Sequence, residues 1–137
     1  EWQIVTAMGD KKMKDSFTAE LTPKGEGLIW RWGGTDIDSG QVATAVGLMG
    51  WDGQNGVVIE HMISSNGVTS QSSWHGAGNR WTCRDKSNEF IDGEYKPTVA
   101  DRVVEWESDD KFIVVASNRL LSGKPQPSVR SVVTRKK

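Results

Sequence analysis

Turn-forming residues punctuate this chain from end to end. They stand at Pro23-Lys24-Gly25, Asp38-Ser39-Gly40, Asp52-Gly53, Asn55-Gly56, Asn66-Gly67, Gly76 to Asn79, Asp92-Gly93, Asp109-Asp110 and Ser122-Gly123. Asn-Gly and Asp-Gly suit hairpin turns whose two central residues need positive φ. The intervals, roughly 8–14 residues, hold a strand comfortably and a helix poorly. The prolines Pro23, Pro97, Pro125 and Pro127 are read at these breaks, where none deletes a ladder hydrogen bond.

Between the breaks the apolar residues recur with period two, the spacing of a strand with one buried face. Leu28, Trp30 and Trp32 share one face, and Ile29 and Arg31 take the other. Val42, Val46 and Leu48 alternate with Ala43, Ala45, Gly47 and Met49, and Val57, Ile59, His61 and Ile63 alternate with Val58, Glu60 and Met62. Val104 and Trp106, Phe112 and Val114, and Val129 and Val133 continue the pattern. This predicts an all-β chain: an antiparallel up-and-down meander of about nine or ten strands. A sheet that long and twisted curls into a barrel or half-barrel. Residues 1–137 read as one domain with no sequence repeat, and Gly9 to Ser16 is the best candidate for a short helix or flap.

Charge narrows the function classes. Lys and Arg total 17 against 18 Asp and Glu, a net charge of -1, so no global field draws in nucleic acid. No apolar run approaches the roughly 20 residues of a membrane-spanning helix, so no membrane insertion is expected. Cys83 is the one cysteine, which rules out an intrachain disulfide and fits a cytoplasmic location. Export after removal of a leader is the alternative. The histidines His61 and His75 and Cys83 make no metal-binding spacing, so neither a metal nor a cofactor is expected. A haem held by one axial histidine rests on fold analogy alone.

At Gly47-Leu48-Met49-Gly50-Trp51-Asp52 the chain resembles bacterial lipocalin-like (calycin-type) domains of unknown function. Such domains open on a Gly-x-Trp-like strand, carry a central Gly-(apolar)-(apolar)-Gly-(aromatic)-Asp hairpin and end on Thr-Arg-Lys. The matching pieces here are Glu1-Trp2, the hairpin just quoted and Thr134-Arg135-Lys136, with no glycine before the opening tryptophan. The resemblance implies an up-and-down barrel, with or without an interior cavity. It implies no reaction.

Seven tryptophans against three phenylalanines and one tyrosine are the compositional oddity. Indoles either fill a small barrel or wall a ligand cavity. The candidate ligand-binding residues are Trp30, Trp32, Trp51, Trp74, Trp106 and His61. His61, in phase with Val57, Ile59 and Ile63, is expected to point inward, which turns Glu60 outward. An inward histidine either orients a ligand, serves as acid or base, or is a core residue with a satisfied ring. Cys83, two residues after Trp81, reads as a small hydrophobe in the wall. Arg31 and Glu105 read as outward, and any charge that does point inward must be paired or bound to ligand.

These features lean away from an enzyme. The leading expectation is a non-catalytic module holding a small apolar or aromatic ligand in the barrel. One alternative is a structural or interaction domain acting through a homodimer or partner. Another is an enzyme using an inward histidine as acid or base.

Overall fold

The computed structural model describes residues 1–35 and 40–137. Of the turn expected at Asp38-Ser39-Gly40, the first two residues lie outside the described residues. Eleven strands follow one another: β1 (Trp2–Met8), β2 (Lys11–Leu21), β3 (Gly27–Thr35), β4 (Val42–Asp52), β5 (Val57–Ser64), β6 (Thr69–Ala77), β7 (Arg80–Ile91), β8 (Glu94–Ser108), β9 (Lys111–Leu121), β10 (Lys124–Gln126) and β11 (Val129–Arg135). Each strand from β1 to β8 pairs antiparallel with the next, β8 pairs with β9, β9 with β11 and β11 with β1. The sheet therefore closes on itself and leaves no open edge. β10 and β11 lie along successive parts of the same edge of β9, so the barrel has ten staves. Among the described residues there is no helix, and hence none long and apolar enough to cross a membrane.

Turn chemistry acts where it was read. Asp92 and Gly93 have φ of 55° and 81°, and Ser122 and Gly123 have 49° and 77°. Paired positive φ values are what the twist of a two-residue hairpin demands. Two local expectations are corrected. Gly9 to Ser16 is a hairpin running into β2, with no helix or flap, because Met13, Asp15 and Phe17 alternate against β1 and face inward. Pro97 lies inside β8, opposite Asn88 of β7. Its carbonyl accepts from Ser122 N at 2.8 Å on the β9 side, just past the last ladder pair, Thr98 with Leu121. The missing N–H points to that same side, at the end of the ladder, so proline costs only the reciprocal half of this last pair.

Inside, one end of the barrel is plugged by aromatic rings. Trp2, Trp106 and Phe112 stand 4.5–5.9 Å apart, centroid to centroid, above buried Val133. Arg135 lies over the outer face of Trp2, 4.8 Å from its centroid. Toward the other end the lumen turns polar. The register between β8 and β9 slips between Val99 and Asp101, where Asn118 takes φ 48° and donates to Asp101 at 2.8 Å. This bulge bends β9 away at the level of Ala116 and Leu120, and an interior cavity opens there.

Asp15 shows what the polar lumen costs. Its carboxylate accepts from Thr35 N at 3.1 Å. Burial raises its pKa above the ordinary aspartate value, against the hydrogen bonds from Thr35 and from the Trp32 indole, which lower it. The folded state thus holds the Asp15 proton more tightly than the unfolded chain does. Stability is gained as pH falls from that raised pKa toward the unfolded value, and the charged group is a net cost above it. Asp15→Asn should therefore raise the urea midpoint at pH 7, with an advantage that shrinks as pH drops through that window. Chemical denaturation of both proteins at a series of pH values checks this. A midpoint difference independent of pH would refute it.

Candidate functional site

Four strands converge on one carboxylate. β5 turns Glu60 inward, where it is 5% exposed. Trp30 of β3 donates its indole N–H to Oε1 at 2.8 Å, and Trp74 of β6 donates to Oε2 at 3.0 Å. From β8, Arg102 Nη2 approaches Oε2 at 3.4 Å. The same Nη2 lies 3.2 Å from Asp85 Oδ1 of β7 and 3.1 Å from Ser72 Oγ, and that hydroxyl donates to Asp85 Oδ1 at 2.7 Å. The Trp74 ring lies under the guanidinium, 5.1 Å from centroid to Cζ. A buried charge is tolerated only when so partnered.

The electrostatics follow from this packing. Burial works against the Arg102 cation, but Asp85 and Glu60 beside it prevail and hold its pKa above the ordinary arginine value. Cys83, on the same inner row, is pushed up by burial above the ordinary thiol value, so it is a wall residue and no thiolate nucleophile. Arg102 sits inside the barrel, and 26% of its side-chain surface is exposed. Its Nε–H is sealed and has no hydrogen-bond partner. All its side-chain hydrogen bonds to oxygen run through Nη2, and the Cys83 thiol lies within hydrogen-bonding reach of the guanidinium.

A cavity of about 190 Å³ adjoins this cluster. Arg102, Asp85, Glu89, Arg119, Ala116 and Val129 are among the residues that line it, with Ser87 and Thr98 beside them. Ser87 Oγ and Thr98 Oγ1 are 2.7 Å apart and satisfy each other. The arrangement can bind and orient. Among the described residues no group of three or more His, Cys, Asp or Glu is placed to hold a metal ion.

The candidate residues separate. Trp30 and Trp74 join at Glu60, and Trp32 hydrogen-bonds Asp15 on the next inner row. Trp106 belongs to the aromatic plug. Trp51 is 61% exposed at the barrel mouth. His61 is corrected: it is exposed on the outer face, paired with Leu48 and Gln71, and Glu60 is the inward residue. The expectation failed because both faces of β5 are apolar, with Val58 and Met62 inside and Ile59 and Ile63 outside. His61 borders an open outer groove of about 940 Å³ that also includes Ile29, Val46, Leu48 and Ile63. Arg31 and Glu105 do face outward, in surface pairs with Glu20 and Arg80. Glu60 was assigned to the wrong face, and Asp85 carried no signal of its own. For Arg102 the one available clue was that an inward charge needs partners.

Fold and site define a class: a closed ten-stranded up-and-down β-barrel with an indole-bound ion cluster beneath a small lumen. No protein-family model matches the chain, and no curated protein matches it either.

Proposed function

We propose that this is a binding module that holds a small molecule in the lumen above Arg102 and Asp85, as a lipocalin-like domain would. The observation that carries the reading is a buried, doubly paired guanidinium that lines a small half-enclosed cavity together with Asp85, Glu89 and Arg119. Glu60, Trp30 and Trp74 hold that guanidinium in place and do not touch the occupant. At about 190 Å³ the cavity is below the roughly 300–1,000 Å³ of pockets for drug-sized ligands, so the occupant is a single small ring or its equivalent.

The test is a titration of tryptophan fluorescence with small polar ring compounds. Arg102→Met and Val129→Phe, which narrows the cavity from β11, two strands away from Arg102, should each weaken binding at least tenfold. His61→Ala should leave it unchanged. Binding indifferent to both lumen variants, or lost with His61→Ala, would refute the reading.

A second reading follows from the outer face. Across β2 to β7 the register aligns Glu20, Ile29, Leu48, His61, Gln71 and Lys86. A two-fold axis over β4 and β5 would cover the exposed Leu48 and Ile63 of both copies. A homodimer on this face predicts a dimer in sedimentation equilibrium that Leu48→Glu converts to monomer. A wild-type monomer at high concentration removes this reading.

A further inference from the structure

We propose that a homodimer on the outer face is governed by pH through His61, forming while that imidazole is neutral and dissolving when it is charged. The proposal rests on the homodimer reading above and names its regulation.

Across three neighbouring strands the outer wall carries no fixed charge. Among the described residues, the outward positions within 42–50 of β4, 59–63 of β5 and 69–75 of β6 hold no Lys, Arg, Asp or Glu. Val42, Val46, Leu48 and Ile63 are exposed there. Three strands about 4.8 Å apart give this strip a plan area of roughly 400 Å², the size at which an apolar patch on a monomer is often functional. The arginines on either side are already paired: Arg31 of β3 with Glu20, and Arg80 and Arg84 of β7 with Glu105 and Asp101. A nucleic acid or an anionic membrane needs cations, and the strip offers none. A second copy brings the same uncharged strip, so a two-fold contact sets apolar surface on apolar surface and buries no fixed charge. An interface this small exchanges reversibly, as a regulated contact must.

His61 stands inside the strip, between Leu48 of β4 and Gln71 of β6. Glu60, its neighbour in sequence, points into the barrel, held by the Trp30 and Trp74 indoles. The nearest charges on the outer face are both positive: Lys86 of β7, paired with Gln71, and Arg31 of β3, paired with Val46. Glu20 lies one strand beyond Arg31 and is engaged with it. His75, the other titratable group of the strip, is at the far end of β6, paired with Thr82. Among the described residues, therefore, no carboxylate adjoins His61 on this face.

Imidazole is the side chain that changes charge between about pH 5 and 8. A second copy laid over the strip takes water from the ring, and desolvation disfavours its charged form. Protons therefore bind the monomer better than the dimer, and acid draws the equilibrium to the monomer. The dimer is fully favoured above the ordinary imidazole value of about 6.5 and is lost as pH falls below it. Two rings per dimer, each worth up to about tenfold between pH 7.5 and 5.5, set the largest rise in Kd at about a hundredfold.

Sedimentation equilibrium of the full chain at those two pH values tests this. The wild-type Kd is expected to rise roughly ten- to a hundredfold on acidification. In His61→Gln the ratio of the two Kd values should fall below about threefold, while His75→Gln keeps the wild-type ratio. Should acid loosen the barrel itself, the His61 Cε1–H resonance, titrated only down to about pH 6 at concentrations above and below the Kd, gives the same reading. The concentrated sample should keep the ring neutral to lower pH. A Kd equal at both pH values, or a response that survives His61→Gln, would overturn the pH control while leaving the dimer in place. A monomer at every concentration at pH 7.5 would overturn both and leave the strip to a different uncharged partner.

Discussion

Replacing Glu60 by alanine is expected to be the most damaging single change to this barrel. The substitution takes the acceptor from two indole N–H groups and one of two carboxylates from Arg102. Breaking a buried charge pair from one side leaves the remaining charge uncompensated, at a cost of about 3–5 kcal/mol. For a chain of this length that corresponds to a fall in Tm of roughly 10–20 °C. Thermal unfolding followed by circular dichroism checks it. The cycle with Arg102→Ala adds a finer measure, because residues of one network couple by about 1–3 kcal/mol. Additivity of the two substitutions within ~0.5 kcal/mol would show that Glu60 and Arg102 do not couple and that Glu60 is held by the indoles only.

The second large effect concerns a residue with no side chain. Gly47 of β4 lies directly against the Trp30 ring: a Cβ there would come within 2.1–2.4 Å of Cε2, Cζ2 and Nε1. No side chain fits unless the indole moves, and when it moves its hydrogen bond to Glu60 is lost. Gly47→Ala should therefore cost about 2–4 kcal/mol, overpacking and the broken bond together. Urea denaturation reads the loss, and the tryptophan emission should shift as the Trp30 ring leaves its site. In a Trp30→Leu background the same glycine change should cost under about 1 kcal/mol, since a flexible side chain can yield. An equal cost in both backgrounds would mean that the glycine is needed for its backbone and not for the ring it admits.

This glycine also shows how far the sequence could be read. The hairpin Gly47-Leu48-Met49-Gly50-Trp51-Asp52 was legible as a motif of fold, but the reason for Gly47 lies seventeen positions earlier, in the ring of Trp30 paired across the strands. The Trp30 and Trp32 phase was legible because Arg31 between them marks the outside. The phase of β5 was not, because alternation gives two faces without saying which is inner. His61 among Val57, Ile59 and Ile63 looked like the buried set, and a lone glutamate between valine and methionine looked like the solvated one.

The chain by itself determined the strands, their turns and their antiparallel order, because these follow from local preferences: paired positive φ at Asp92-Gly93 and Ser122-Gly123, and period-two alternation between breaks. Tertiary structure decided which face of β5 is inside. It also brought Glu60, Trp30, Trp74, Asp85 and Arg102 to one point, and opened a cavity beside them. Those outcomes depend on contacts between residues 14 to 42 positions apart, where the energy of satisfying a buried charge outweighs the tendency of that charge to face water.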